Sequence, residues 1–178
     1  MSFPTVQGTQ RVVASVSAIP VPQGALVACD LDDTLIHSSY AFVGDKWHKP
    51  LVVRLMHPDD AVWCHDVATR AHLVYITARD PSIHPLTTKQ LQDLGLPVRP
   101  VIYDEVKGRA LLDVVQQAVR PYTAVLFVDD LDTNHRSVRT HMPEAVCYRV
   151  DAALAEKLAA RMRRKLAAHP KTTSAFGA

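Results

Sequence analysis

Asp30, Asp32 and Asp33 crowd together at the end of the apolar run Leu26-Val27-Ala28-Cys29. Carboxylates this close repel one another unless a cation or a shared proton lies among them. A divalent metal is therefore the first ligand to expect. The run itself reads as a strand of a parallel sheet buried on both faces, and acids at its carboxyl end would sit where open α/β sheets place their ligands. An isolated Asp-x-Asp is also what an acidic turn shows, with Asp and Thr as turn formers and helix caps. The choice between the two readings rests on what the rest of the chain supplies.

Three other segments supply it. Ile76-Thr77-Ala78-Arg79 closes a second apolar run, Val106-Lys107-Gly108 opens a helix, and Val128-Asp129-Asp130-Leu131-Asp132-Thr133-Asn134 closes a later run. Each alone has an ordinary reading: a capped turn, a surface lysine, a capping pair. Together they bring acids for a metal, a hydroxyl and a lysine for phosphate oxygens, and helix N-termini whose amides favour anions to one edge of a sheet. Arg79 would either touch substrate or form a surface salt bridge. His135 is expected on a helix surface, and His37, His48, His57 and His65 show no metal-ligand spacing.

The elements that must position these groups follow from apolar runs separated by helical spacers, the pattern of a parallel α/β sheet. Five strands are expected, Ala25 to Cys29, Leu73 to Ile76, Val98 to Tyr103, Ala124 to Val128 and Ala145 to Val150. A helix from about Ile83 to Leu94 is stopped by Gly95, another runs from Lys107 to about Val119, and a shorter one spans Thr133 to Thr140. Leu35 to His57 mixes Tyr40, Phe42, Gly44, Trp47 and Pro50 without a period and reads as an irregular hairpin or flap, followed by a helix from Pro58 to about Ala71. Beyond the core, Ala152 to Ala168 has strong helical propensity, with Leu154, Leu158, Met162 and Leu166 on one face and Lys157, Arg161, Arg163, Arg164 and Lys165 on another. The expected organisation is an N-terminal arm over residues 1–22, a core over 23–150, and a C-terminal helix with a short tail over 151–178.

With 178 residues, 48% of them hydrophobic and 21% charged, the chain suits one globular domain with a proper core. Its net charge of +2, with basic residues spread out, shows no nucleic-acid footprint. No apolar stretch reaches the roughly 18 residues of a membrane span. The first twenty residues carry only Arg11 as a basic group and no small-residue cleavage site, so they read as a loosely structured arm rather than a signal peptide. Cys29, Cys64 and Cys147 lie far apart without metal-binding spacing, which suggests reduced thiols in a cytoplasmic setting.

Over about residues 24 to 150 the sequence resembles the haloacid dehalogenase superfamily of aspartyl phosphatases. Asp30-Leu31-Asp32-Asp33-Thr34 is similar to its first motif, Thr77 to its second, Lys107 to its third, and Asp129-Asp130 with Asn134 to its fourth. Receiver domains use a similar inventory, but here a second acid pair follows the lysine. The resemblance implies a Rossmann-like core of five parallel strands flanked by helices, with a flap and no large cap domain. It also implies a Mg²⁺-dependent phosphomonoesterase in which Asp30 is the nucleophile and Asp32 the general acid/base, its pKa raised by nearby carboxylates. The metal would lie between the Asp30 carboxylate, the backbone carbonyl of Asp32 and an acid of the fourth motif, Asp130 first, with Asp129 and Asn134 as secondary ligands or orienting residues. Thr77, Lys107, Ala78 and Arg79 would hold phosphate, and Asp33 becomes a turn or capping residue.

Members of that superfamily choose substrates with inserted caps, and only about 46 residues separate Asp30 from Thr77 here. The site is therefore expected to be open, suiting a bulky phosphorylated substrate or one completed by a homo-oligomer partner. Tyr40, Phe42 and Trp47 are either contacts on the flap or a small satellite core. A catalytically idle binding module, or a phosphatase for nucleic-acid ends or phosphoprotein, stays open as an alternative; the basic C-terminal helix is the sole hint of the latter.

Overall fold

A computed structural model describes residues 10–43, 46–154, 156, 157, 160 and 161, the side chains of 40–43 and 46–52 excepted. Strands β1 (Gln10–Val13), β2 (Leu26–Cys29), β5 (His72–Thr77), β6 (Val101–Tyr103), β7 (Val125–Asp129) and β8 (Val146–Val150) form one sheet in the order β1-β8-β7-β2-β5-β6. Every pairing in it is parallel. Strands β3 (Ile36–Val43) and β4 (Lys46–Leu55) pair antiparallel as a separate hairpin. The helices are α1 (Asp60–Arg70), α2 (His84–Asp93), α3 (Lys107–Gln116) and α4 (Asp132–His141).

The α/β class and the flap hairpin agree with expectation, but the sheet has six strands rather than five. The extra one is β1, in the segment expected to be a loose arm. Gln10 and Val13 are half-buried and Arg11 and Val12 exposed, so no continuous apolar run announces it. Behind it Val16, Ile19 and Val21 are buried, and the Trp63 indole donates to the Ile19 carbonyl at 3.2 Å. The expected strand from Val98 begins at Val101 instead: Val98 is exposed, and Pro100 has no N–H for a ladder.

Alternation along β2 divides the core. Val27 and Cys29 pack with Trp63, Val67 and Leu91 of α1 and α2, whereas Leu26 and Ala28 pack with Leu111 of α3, Val138 of α4 and Met142 just after it. The chain moves outward from β2 to β5 and β6, then returns to β7 and β8 on the other side. Right-handed crossovers place helices on opposite faces when the direction of travel reverses, as it does here. The reversal leaves a switch point between β2 and β7, where the strand ends open into a crevice.

Gly95, at φ 70°, ends α2 as expected: the Leu96 N–H reaches back to the Leu91 carbonyl at 2.8 Å, a Schellman closure. All three cysteines are free and buried. Residues 152–154, 156, 157, 160 and 161 are helical, and the remainder of the expected C-terminal helix lies outside the described residues, as do the side chains of Tyr40, Phe42 and Trp47. Among the described residues no helix is long and apolar enough to cross a membrane.

Candidate functional site

β2 delivers Asp30 into the crevice, and the chain then folds back tightly. The N–H groups of Leu35 and Ile36 both bond to the Leu31 carbonyl, at 2.9 and 2.8 Å. Asp33 adopts φ 58° at this turn, a left-handed conformation that Asp tolerates. Its exposed carboxylate lies 3.4 Å from His37. Asp33 is thus the turn residue it was expected to be.

Lys107, first residue of α3, is 1% exposed, and a buried ammonium needs partners. Its Nζ donates to Asp30 Oδ1 at 2.6 Å and to the Ile76 carbonyl. Gly108 sets the position of this lysine. A Cβ there would lie 2.2 Å from the Ser137 carbonyl oxygen, so only glycine lets α3 approach α4 so closely. The Gly108 N–H also donates to Ser137 Oγ at 3.2 Å.

β7 ends in the buried Asp129. The Leu131 N–H donates to it at 2.8 Å, and the Asn134 amide reaches both its oxygens, at 3.0 and 2.9 Å. Thr34 donates to Asp130 at 3.3 Å. Asp30, Asp129 and Asp130 each offer a carboxylate oxygen, and these lie within 4.8 Å of one another. Oxygen-only donors of this kind suit a hard divalent cation.

Electrostatics agree with that reading. Burial pushes the Asp30 carboxyl up to about 6 against the opposing pull of Lys107, with Asp32 and Asp130 adding to the rise. Asp129 is pushed up to about 8 by burial and then by the charge of Asp30. Asp130 is raised by burial first and also by Asp33. One ammonium does not neutralise three acids, so a dication placed among them would lower all three.

Thr77 is buried at the end of β5, its hydroxyl accepting the Arg79 N–H at 3.2 Å, which leaves the O–H to donate. Ala78 is exposed and lines a cleft of about 220 Å³ with Asp104 and Glu105. A second cleft, of about 490 Å³, opens beside Asp130 between His37 and Met56 at the hairpin base and Arg149 and Asp151 on the far side.

Asp32 does not join the metal cluster with its side chain. Arg79 grips it through a fork, Nε to Oδ2 at 2.8 Å and Nη2 to Oδ1 at 2.7 Å, and Ser38 of β3 donates to Oδ1 as well. Arg79 forms a salt bridge, one of the two roles expected for it, but the guanidinium is buried rather than on the surface. His135 is likewise buried rather than on a helix surface. Its ring packs edge-on against Phe127, and Nε2 donates to the Asp129 carbonyl at 3.0 Å. Burial lowers its pKa, so the neutral imidazole helps hold the Asp129 backbone.

Sequence reasoning missed Ser38, Thr87 and Gln90, and placed Gly108 at the helix start without reading its packing role. Thr87 and Gln90 left a trace: with Leu91 they share the buried face of α2, where polar residues need partners. Ser38 lies in the aperiodic hairpin and left none. Compared with known proteins, the chain matches no family model, and no curated protein or solved structure resembles it significantly.

Proposed function

We propose that the chain is a Mg²⁺-dependent phosphomonoesterase of the haloacid dehalogenase type, working through an aspartyl-phosphate on Asp30. The observation that carries this reading is the Asp30–Lys107 pair at 2.6 Å beside the Asp30, Asp129 and Asp130 cluster, all at the switch point between β2 and β7. The donor set fits the metal, because two buried carboxylates and one half-buried carboxylate, all with raised pKa values, have only the Lys107 ammonium beside them among the described residues. Asp30, Asp129 and Asp130 would hold Mg²⁺, which when bound supplies charge neutralisation for the phosphoryl oxygens.

In the first step Asp30 attacks phosphorus, the P–O bond to the leaving group breaks, and Asp32 gives the leaving oxygen a proton. In the second step Asp32 takes a proton from water, which attacks phosphorus, releases phosphate and restores the Asp30 carboxylate. Arg79 and Ser38 make Asp32 an acceptor of three donors, the form the second step requires. Lys107 keeps Asp30 oriented, while the Thr77 hydroxyl and the exposed turn at Ala78 offer donors to the equatorial oxygens. The 490 Å³ cleft beside Asp130 gives a leaving group room, and it fits an open site for a bulky phosphorylated substrate.

Hydrolysis of a phosphomonoester panel with Mg²⁺ tests the reading. The parent is expected to release phosphate and Asp30→Asn to lose turnover by at least about 1,000-fold. Equal turnover by Asp30→Asn rejects the nucleophile, and a parent inert toward every ester favours a binding module.

A further inference from the structure

Arg79 is the most completely engaged cation at the site. Nε donates to Asp32, Nη2 to Asp32 and to Ser38 at 3.3 Å, and Nη1 to Gln90 at 2.7 Å and to Thr87 at 3.3 Å. Those contacts match the five N–H donors of a guanidinium one for one. The side chain is 1% exposed, and its acceptors come from three elements: the turn after β2, strand β3 and helix α2. A phosphate could claim this guanidinium only by breaking bonds that are already buried and satisfied, a loss no exposed arginine would incur.

From this we infer that Arg79 is a positioning residue that acts through Asp32 and not a phosphate ligand, with Thr87 and Gln90 fixing its rear. The inference rests on the phosphomonoesterase reading. Both oxygens of Asp32 are held in one plane by the fork, and Ser38 ties that plane to the flap hairpin. A proton-transferring carboxylate loses rate steeply when its orientation is relaxed, whereas ground-state binding of phosphate by Lys107, Thr77 and the metal is left alone. Lysine at this position would keep the charge but not the fork.

Two measurements decide the matter. Kinetics and the affinity for inorganic phosphate with Mg²⁺ are compared for the parent, Arg79→Lys, Arg79→Ala, Gln90→Ala, Asp32→Ala and the Asp32→Ala/Arg79→Ala pair. Arg79→Ala should lower kcat by about 100-fold and leave KM and phosphate affinity within about threefold, with Arg79→Lys recovering about tenfold of the loss. Gln90→Ala, which leaves the fork in place, should lower kcat less and leave phosphate affinity unchanged. The double variant should be no slower than Asp32→Ala alone, because residues acting as a unit are not additive. Phosphate binding weakened tenfold or more in Arg79→Lys, or additive losses in the pair, overturns the inference.

The second measurement follows the Arg79 Nε–H by nitrogen-15 NMR in the intact chain. Its signal should be protected from exchange in the parent, lose protection in Asp32→Ala, and stay protected when phosphate and Mg²⁺ are added. Loss of protection on adding phosphate makes Arg79 a ligand and overturns the inference while leaving the phosphatase reading intact. A parent without turnover whose signal still responds to Asp32→Ala rejects the phosphatase reading and overturns the positioning role, reducing Arg79 to a structural strut.

Discussion

Asp30 and Asp32 leave the same strand end two residues apart, yet their carboxylates live in different surroundings. Asp30 faces the β2–β7 crevice, held by Lys107 and pressed by Asp129 and Asp130. Asp32 turns the other way, toward β3 and α2, into the fork of an arginine with every donor used. A lysine is a point charge on a flexible stem, whereas the guanidinium fork fixes a carboxylate plane. The Asp30 half therefore gathers negative charge that a dication would relieve, and the fork half stores orientation. Division of labour between like residues comes from the partners that tertiary structure brings to each.

Exchanging the two carboxylates for amides is the strongest way to break this contrast. Asp30→Asn should lose turnover by at least about 1,000-fold and form no covalent phosphate. With an aryl phosphate whose leaving group needs no proton, Asp32→Asn should retain phosphate on Asp30 long enough to be seen by rapid quench, because on the proposed mechanism the second step still needs the base. If neither variant, or both, accumulates labelled protein, the two carboxylates do not differ as described.

Metal binding sharpens the same contrast with a smaller effect. Asp130→Ala removes a carboxylate of the cluster, whereas Asn134→Ala removes only the amide that orients Asp129. Calorimetry should show Mg²⁺ affinity falling about tenfold for Asn134→Ala and further for Asp130→Ala. Arg79→Lys, in the other half, should leave it unchanged; the reverse ranking would place the cation elsewhere.

Gly108→Ala probes how the lysine is carried. With a Cβ 2.2 Å from the Ser137 carbonyl oxygen, α3 must shift from α4, at a cost of about 1–3 kcal/mol in urea denaturation. Lys107 shifts with the helix, so kcat should fall too. Wild-type stability in this variant would show that α3 relocates freely.

A further contrast is in the pH dependence of stability. Asp30, Asp60 and Asp129 hold their protons up to about 6, about 6 and about 8 in the folded protein, all raised foremost by burial. In the unfolded chain they ionise near 3.8, so between about pH 4 and 8 the folded state binds more protons. Stability of the protein in EDTA should fall as pH rises through that window and level off above it. On the proposed reading Mg²⁺ would bind the ionised cluster of the folded state, so its stabilisation should grow with pH. Thermal melts from pH 5 to 9 with and without Mg²⁺ check both slopes; identical slopes would disconnect the cluster from metal.

Much of the fold was legible because apolar runs and their spacers report a parallel sheet directly. β2, β5, β7 and β8 fell close to their expected places, and α2 ended at its glycine. β1 escaped because an edge strand of four residues, two half-buried and two exposed, needs only its partner β8 and no run of its own. At the site, Asp30, Thr77, Lys107, Asp129 and Asp130 were readable as element ends, where chemistry and topology coincide. Arg79 and His135 were misplaced because burial of a polar side chain depends on acceptors distant in sequence, such as Gln90 and Ser38 for Arg79 and the Asp129 carbonyl for His135.

Residue type and spacing alone determined that acids, a hydroxyl and a lysine stand at the ends of strands and helices in a parallel α/β chain. Such ends are local features, written in periodicity and punctuation. Only the tertiary structure decided which acid faces which cation, since Arg79 meets Asp32 across 47 residues and Lys107 meets Asp30 across 77. Those pairings follow from strand order and helix packing, in which a single missing Cβ at Gly108 sets how closely two helices approach.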